Sequence, residues 1–201
     1  MTHDEPGHTP RRIAIVSYRK TWPREFDTLG RRLRTALGSM ALRIDHIGST
    51  SVPGLAAKDV IDIQITVHAL DDASLRPALE TTGLIWLDDT YTDHQPPGPA
   101  LPPADVDKRM AKAAQGDRNA NIHIRVAGRF NQRYALLCRD YLRSSPAAAR
   151  AYAEVKRNLA ALFPEDAAAY CAVKDPVFDV IMAGAEAWSD SIGWKPGPSD
   201  A

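Results

Sequence analysis

Residues 45–67, DHIGSTSVPGLAAKDVIDIQITV, give the strongest indication of the fold. This stretch opens with a turn of small polar residues, 48–51, and ends in a β-branched run that carries one carboxylate, Asp62. Such a turn brings backbone N–H groups close together, where they can bind phosphate. Because side chains alternate along a strand, Asp62 and Gln64 share one face while isoleucines fill the other. The stretch therefore predicts a strand with an apolar core face and a polar face that lines a cleft.

A second run, NANIHIRV at residues 119–126, alternates in the same way. It puts Asn121, His123 and Arg125 on one face and apolar residues on the other. If the two strands are neighbours, these polar side chains converge with Asp62 and Gln64 on one surface. The alternative is an ordinary solvated sheet face, and a single sequence leaves strand order open.

The composition limits the classes of protein to which this chain can belong. The 201 residues suit one domain, or one domain with a helical appendage. Lys plus Arg and Asp plus Glu are 25 each, which argues against an unspecialised nucleic-acid binder while allowing a local basic pocket. No apolar leader and no run of about 20 apolar residues is present, so we expect no membrane span and a cytoplasmic protein.

Patterning along the chain divides it into a mixed α+β part followed by a helical part. Trp22, Phe26, Leu29, Leu33 and Leu37 recur at helical spacing, and Gly38 is placed to end that helix. The expected segments are a disordered lead-in (1–11), an α+β core (12–127), a helical C-terminal part (128–190) and a flexible tail (191–201). We expect the last long helical pattern to break near Asp175 and Pro176.

A stretch rich in Pro, Gly and charge, residues 92–117, interrupts the core. It carries no clear strand or helix period, so the sequence predicts a long loop. Loops of this length inside a compact domain are commonly functional or disordered. An active-site flap and simple disorder both remain open at this point.

The turn-and-acid spacing of residues 48–62 resembles the signature of the nucleotidyltransferase superfamily. A more specific resemblance is to the GrpB family, one branch of which is fused to bacterial dephospho-CoA kinases. The matching segments are SYRKTWPREF, HIGSTSVPGLAAKDVIDIQITV, NIHIRV, CRDYLRSSPAAARAYAEVKRNLAALF and AAYCAVKDPVFDVI, over roughly residues 13–183. The resemblance implies a nucleotidyltransferase-like mixed β-sheet with flanking helices and a helical C-terminal part.

Carried onto this sequence, the resemblance gives Gly48 and Ser49 a phosphate-binding role and Asp62 the role of a ligand for Mg²⁺. Gln64 stands where active members of the superfamily have a second acid, and an amide brings no negative charge. His123 stands close to the position of a third acid, where it is a candidate base but a poor Mg²⁺ ligand. The family's HHLH element reads NANIH here, so that only His123 is kept.

Further candidates surround these positions. Asp45 is a candidate acid at the cleft edge. The candidate phosphate contacts are Thr50 and Ser51 in the turn, and the cations Lys58, Arg109, Arg125, Lys156 and Lys174. For Lys58 and Arg109 a solvated surface position is the competing interpretation.

The leading hypothesis is an enzyme that binds a nucleoside triphosphate with Mg²⁺. It would transfer a nucleotidyl or phosphoryl group to a small molecule. The alternative is a degenerate module that binds a nucleotide or metabolite without turnover, since the acid pair is reduced. The sequence leaves the acceptor, the nucleotide and the oligomeric state open.

Overall fold

The computed structural model describes residues 12–201, and of Thr90 only the backbone. The predicted lead-in of residues 1–11 lies outside the described residues. The strands are β1 Arg43–Ile47, β2 Ile61–Val67, β3 Ile85–Thr92, β4 Asp107–Lys112 and β5 Ala120–Val126. They form one mixed sheet in the order β1-β2-β5-β4-β3, in which only the β2–β5 pair is parallel.

The helices are α1 Trp22–Leu37, α2 Leu75–Glu80, α3 Pro103–Val106, α4 Phe130–Ser144, α5 Pro146–Leu162 and α6 Ala167–Ile192. The prediction for α1 is confirmed, since Pro23 lies in its first turn and Gly38 ends it with a φ of 50°. Ser145 caps α5 by accepting a hydrogen bond from the Ala148 N–H, and Pro146 follows it.

The apolar face of the sheet is the core predicted from alternation. Ile63 and Ile65 of β2 and Ile122 and Ile124 of β5 have no exposed surface, and α1 packs over them. Burying each such side chain stabilises the fold by about 1.5–3 kcal/mol relative to leaving it exposed. This face fixes the register of β2 against β5, because a slip of one residue would turn the isoleucines outward.

The C-terminal helices lie over the opposite, polar face. The side chain of Gln64 donates to the backbone carbonyl of Gln132 in α4, and the Gln132 amide donates to the Thr66 hydroxyl. Helices α4, α5 and α6 form a second core around Leu137, Tyr152 and Ala185. A cleft therefore lies between the polar face of the sheet and the helical part. The expected α+β class, with flanking helices and a helical C-terminal part, is confirmed.

Two features differ from the expected layout of the middle and end of the chain. The segment 92–117 is not a continuous loop, because it contains α3 and β4. Strand β4 pairs on both sides, with β3 and β5, so backbone pairing holds it although only Met110 and Ala111 are apolar. Helix α6 runs unbroken through Pro176, because its packing on α4 and α5 outweighs the missing N–H.

The segment 191–201 is not a loose tail either. It lies along β1, where the Ala201 N–H donates to the Ile44 carbonyl and the Ile44 N–H donates to the Ser199 hydroxyl. The Asp200 carboxylate accepts from the His46 N–H and, at 2.8 Å, from Arg139. An exposed edge strand offers unpaired backbone groups, and the tail covers those of β1. Across residues 12–201, no helix combines the length and apolar character needed to cross a membrane.

Candidate functional site

Asp62 lies at the centre of the cleft. In the sheet it pairs with Ile47 of β1 and Asn121 of β5, and its side chain is 28% exposed. The Asn121 side-chain amide donates to Asp62 Oδ1 at 3.0 Å, which orients the carboxylate. The predicted neighbour His123 has its Nε2 3.9 Å from the same oxygen. The parallel β2–β5 pair thus brings together the acid and the histidine, as alternation predicts.

Gly48 makes the close approach of the turn to this carboxylate feasible. Its φ is 67°, and a Cβ added there would lie 2.5 Å from Asp62 Oδ2 and 3.0 Å from Asp62 Cβ. Any other residue would be strained in backbone and would push the carboxylate aside. The turn and Asp62 therefore form one unit, which contains the two positions named from the resemblance; their phosphate and Mg²⁺ roles stay predictions.

Three predicted lysines surround this unit from the helical side and from the segment before β2. They line what we call the lysine-lined cavity, of about 200 Å³. Its walls are Gly48, Ser49, Thr50, Ala57, Lys58, Val60, Asp62, Tyr152, Lys156, Tyr170, Lys174 and Phe178. Lys58 lies far from Lys156 and Lys174 in the sequence, and the packing of α5 and α6 on the sheet brings the three lysines together.

The aromatic rings and carbonyl groups of the cavity hold the lysines in place. The ammonium of Lys58 lies 4.2 Å from the centre of the Tyr170 ring, and that of Lys156 lies 4.6 Å from the centre of the Tyr152 ring. Lys156 also donates to the backbone carbonyl of Ala56, and Lys174 donates to Asp175 at 2.6 Å.

Burial and the neighbouring charge of Lys174 disfavour positive charge on Lys58 and Lys156. Burial, with the charge of Lys174 adding to it, lowers the pKa of Lys156 to about 7. Burial is also the main cause that lowers the pKa of Lys58, and Lys174 adds to it. An anion in the lysine-lined cavity would relieve both effects.

A second cavity of about 300 Å³ adjoins the first one. We call it the aromatic cavity, because the rings of Phe130, Tyr134 and Phe178 line it. Its other walls are Ile47, Gly48, Ser49, Asp62, Asp93, His94, His123, Arg125, Asn131, Ala135, Cys138, Arg139, Leu142, Lys174 and Asp175. The turn, Asp62, Lys174 and Phe178 belong to both cavities, so the cleft has two chambers that meet at the candidate acid.

His123 faces the aromatic cavity with a side chain that is 17% exposed. Burial lowers the pKa of His123, and the carboxylate of Asp62 opposes that shift only in part. The imidazole is therefore neutral near pH 7, which a general base requires. Its Nδ1 is buried and has no hydrogen-bond partner among the described residues.

The prediction that Gln64 lines the same cleft is wrong. Gln64 has no exposed surface, and its Oε1 accepts from Arg125 at 2.6 Å. Arg125 also donates to both oxygens of Asp93, at 2.7 and 2.8 Å, and Lys108 donates to Asp93 at 2.6 Å. Burial alone would raise the pKa of Asp93, but these two cations outweigh it and hold that pKa well below its usual range. Arg125 lines the aromatic cavity, with its guanidinium committed to this network.

Asp45 is not at the cleft edge. It has no exposed surface, and both of its oxygens accept from Arg43, at 2.8 and 3.0 Å. Burial raises the pKa of Asp45, although Arg43 and Arg139 oppose the shift. Arg43 neutralises the charge of Asp45 within β1, so this ion pair has a structural role.

The hydroxyl groups of Thr50 and Ser51 are engaged within the turn. Thr50 Oγ1 lies 3.0 Å from His46 Nε2, and Ser51 donates to the Gly48 carbonyl at 2.6 Å. These hydroxyls shape the turn, which leaves Ser49 as its hydroxyl that lines both cavities.

Arg109 lies away from the cleft. It pairs with Ile124 across β4 and β5, whereas its neighbour Met110 pairs with His123. Alternation therefore directs Arg109 to the face opposite His123. The prediction of Arg109 as a phosphate contact in the cleft is therefore wrong, because the strand β4 was not recognised.

Several residues of the cleft were not predicted as site residues. Asp93, Asn131, Tyr134, Asp175 and Phe178 come from the end of β3 and from α4 and α6. Asn121 is on the polar face where the alternation of NANIHIRV placed it with His123, although no site role was given to it. The others reach the cleft only through tertiary packing, which no local pattern encodes.

The chain resembles known proteins over most of its length. The family model described as GrpB protein matches residues 12–184. A dephospho-CoA kinase of Mycolicibacterium paratuberculosis is 41% identical, with 92% of this chain and 48% of that protein covered. The chain thus spans about half the length of the dephospho-CoA kinases it matches.

Shorter relatives match over more of their own length. A UPF0157 protein of Halalkalibacterium halodurans is 33% identical, with 87% of this chain and 83% of that protein covered. The crystal structure of the conserved protein GrpB from Enterococcus faecalis superposes with a TM-score of 0.71 at 27% identity, covering 87% of this chain and 99% of that one. The family model, the relatives and the fold agree, and the chain belongs to the GrpB family.

Proposed function

We propose that the protein binds a nucleoside triphosphate in the lysine-lined cavity and transfers a nucleotidyl or phosphoryl group to a small molecule in the aromatic cavity. The observation that carries the proposal is the meeting of three lysines with the Gly48–Ser49 turn beside Asp62. Phosphate groups are the small-molecule groups whose charge and acceptor oxygens match ammonium groups and backbone N–H groups together.

The electrostatics of the cavity favour a polyanion over a neutral ligand. Lys58 and Lys156 are partly or fully withdrawn from solvent, and their ammonium groups lie over the rings of Tyr170 and Tyr152. A triphosphate would supply the negative charge that raises the pKa of these lysines. The carboxylate of Asp62 lines the same cavity and would repel a bare triphosphate unless a cation bridges the two.

The residues fit one magnesium ion better than two. Mg²⁺ prefers oxygen ligands and is usually held by one or two carboxylates together with the phosphates of its substrate and water. Asp62 supplies such a carboxylate, while Gln64 and Asp45 are buried in other contacts. Within residues 12–201, no three or more His, Cys, Asp or Glu residues are grouped to hold a metal. Mg²⁺ on Asp62 would neutralise phosphate charge; a two-metal centre does not fit these residues.

His123 is the candidate base. In nucleotidyl transfer an acceptor hydroxyl oxygen bonds to the α-phosphorus, the bond from that phosphorus to the bridging oxygen breaks, and pyrophosphate leaves. The hydroxyl proton passes to neutral His123, whose Nδ1 has no partner among the described residues. Asp62, 3.9 Å from Nε2, would stabilise the imidazolium that forms.

A binding module without turnover is the second candidate. The observation that favours it is that neither further position of the hypothesis offers a free carboxylate, since Gln64 is a neutral amide bonded to Arg125 and Asp45 is paired with Arg43. Under this proposal the lysine-lined cavity holds the nucleotide in the same way, and only the transfer step is missing.

Calorimetric titration with ATP, with and without Mg²⁺, tests the binding. We expect Lys156→Met to weaken ATP binding at least about tenfold, which corresponds to about 1.4 kcal/mol. Asp62→Asn should weaken only the Mg²⁺-dependent part. Arg109→Gln is the matched control, because it removes a positive charge from the opposite face. Equal ATP affinity in Lys156→Met and wild type would overturn the assignment of the phosphates to this cavity.

Mass spectrometry then separates the enzyme from the binding module. Wild-type protein is incubated with ATP, Mg²⁺ and a panel of small hydroxyl and amine compounds, and pyrophosphate, ADP and acceptor adducts are sought. An adduct that disappears in His123→Ala supports transfer. ATP binding with neither pyrophosphate nor ADP across the panel favours the module.

A further inference from the structure

Four buried polar atoms in or beside the aromatic cavity have no hydrogen-bond partner among the described residues. They are His123 Nδ1, Asn131 Oδ1, Tyr134 Oη and Asp179 Oδ1. Three of these side chains line the aromatic cavity, and Asp179 contacts a fourth lining residue, His94. Buried polar groups are nearly always paired in folded proteins, because an unpaired one loses its hydrogen bonds to water and gains none in return. A group of them at one cavity points to a ligand that completes their bonding.

The bonds already made decide what that ligand must offer. The Asn131 amide nitrogen donates to Asp93 at 3.0 Å and to the Asp107 carbonyl at 2.9 Å. This orientation leaves Asn131 Oδ1 as an acceptor for the cavity. Asn131 is only 3% exposed. Asp179 uses Oδ2 with His94 at 2.9 Å and keeps Oδ1 as a second acceptor. A ligand that satisfies both must be a hydrogen-bond donor.

The charges around these acceptors favour a cationic donor. The cations of the aromatic cavity have acidic partners: Arg125 with Asp93, Lys174 with Asp175, and Arg139 with Asp140 and Asp200. Among the described residues, the ion-pair partner of Asp179 is His94, which balances the charge of Asp179 only when protonated. The carboxylate of Asp179 beside the cavity therefore favours a ligand that carries positive charge.

The aromatic walls add to this preference. Phe130 and Tyr134 lie with ring centres 5.5 Å apart, and Phe178 forms a further wall. Aromatic faces attract ammonium groups and bury apolar ligand surface at the same time. A cavity of about 300 Å³ accommodates a small ring with a short chain.

We propose that the aromatic cavity binds a small primary amine on an aromatic or apolar skeleton, with its ammonium group donating to Asn131 Oδ1 and Asp179 Oδ1. The role of this amine as the acceptor of the transferred group rests on the proposed function, whereas its binding does not. Tyr134 would add a hydrogen bond through its hydroxyl group.

Binding of tyramine, measured by calorimetry and ligand-observed NMR without nucleotide, tests the proposal. The matched probes are 4-ethylphenol, which lacks the amine, and 3-(4-hydroxyphenyl)propionate, which carries the opposite charge. We expect tyramine to bind at least tenfold more tightly than either. Equal binding of tyramine and 4-ethylphenol, or no binding of tyramine at millimolar concentration, would overturn the proposal.

Two variants show whether the amine contacts the assigned atoms. Asp179→Asn should weaken tyramine binding at least tenfold, while Asp190→Asn, an exposed acid farther along α6, should leave it unchanged. Tyr134→Phe removes a hydroxyl group without a partner, so it should keep or raise the melting temperature while it weakens tyramine binding. Tyramine affinity equal to wild type in both Asp179→Asn and Tyr134→Phe would contradict the assignment.

The ATP titration described above is independent of this measurement. Tyramine binding without ATP binding would refute the proposed function and leave the amine site standing. ATP binding without tyramine binding would refute the amine site and leave the proposed function standing.

Discussion

At the scale of single residues, the close approach of Asp62 to Gly48 restricts which residue can stand at position 48. The φ of 67° at Gly48 and the 2.5 Å approach of an added Cβ to Asp62 Oδ2 are separate penalties. We expect Gly48→Ala to destabilise the fold by more than about 1 kcal/mol and to weaken ATP binding. Denaturant unfolding and calorimetry measure the two effects.

The next turn offers a matched control for this substitution. Gly54 has a φ of 80°, and nothing lies within 4 Å of an added Cβ. Gly54→Ala therefore carries the backbone penalty alone and should leave ATP binding intact. If both variants lose ATP binding equally, the contact with Asp62 does not position the turn.

Lys156 gives a prediction about protons. Its pKa of about 7 in the free protein is below the ordinary value of about 10.4, and bound phosphate would raise it. Between these values ATP binding should take up a proton, and ATP affinity should fall as the pH rises above 7. Calorimetry at pH 8.5 in two buffers of different ionisation enthalpy measures the uptake. Lys156→Met should lower the proton uptake by most of one proton, and Arg109→Gln should leave it unchanged. Equal uptake in wild type and both variants would show that Lys156 is not the group that takes up the proton.

At the scale of elements, Asp93 links the end of β3 to β4 and β5. It accepts from Lys108 and Arg125, so that Asp93→Asn would leave two buried cations without their acid. We expect a loss of about 2–3 kcal/mol in the free energy of unfolding. Asp88→Asn, whose side chain is 74% exposed in its pair with Arg76, should change it by less than about 1 kcal/mol.

The pH dependence of this loss has a defined sign. The pKa of Asp93 is lowered on folding, so its contribution is present above the ordinary value of about 3.9 and disappears as the pH falls through the lower folded value. The stability difference between wild type and Asp93→Asn should thus be constant above about pH 5 and shrink below about pH 4. A difference that stays constant through the acid range would show that the charge of Asp93 contributes nothing.

The elements also show how far sequence patterns reach. Alternation in residues 60–67 and 119–126 predicted which side chains share the polar face, and the β2–β5 pairing confirms the convergence of Asp62 and His123. Alternation does not predict which polar side chains bond to one another. Gln64 lies on the predicted face, but its side chain bonds to Arg125 and does not line the cleft. Arg125 lies two residues beyond His123, which pairs with Gln64 in the sheet.

Local sequence patterns predict neither strand β4 nor the cleft wall that α4 and α6 form. The residues of β4 are mostly charged, and the strand exists because β3 and β5 pair with it on both sides. Asn131 and Asp175 lie in segments whose helical period was recognised, but their approach to the cleft depends on how α4 and α6 pack. Those contacts are set by long-range packing, which a single sequence does not express as a period.

At the scale of the whole molecule, residues 197–201 protect the edge of the sheet. They cover the backbone of β1 and accept hydrogen bonds from Arg43, Arg34 and Arg139. Deleting residues 197–201 should expose β1 to pairing with a second copy, and light scattering should detect a larger mass than that of the full chain. Asp200→Asn keeps the edge covered and should leave the mass unchanged. An unchanged mass after the deletion would show that the tail does not prevent self-association.

The wall shared by the two chambers has a thermodynamic consequence. Lys174 and Phe178 line both cavities, so a ligand in one chamber that shifts these side chains changes the free energy of binding in the other. Linkage makes such an effect reciprocal: the factor by which ATP changes the affinity for an amine equals the factor by which the amine changes the affinity for ATP. The order in which the two ligands add is therefore free to vary, while the stability of the ternary complex is the same by either route.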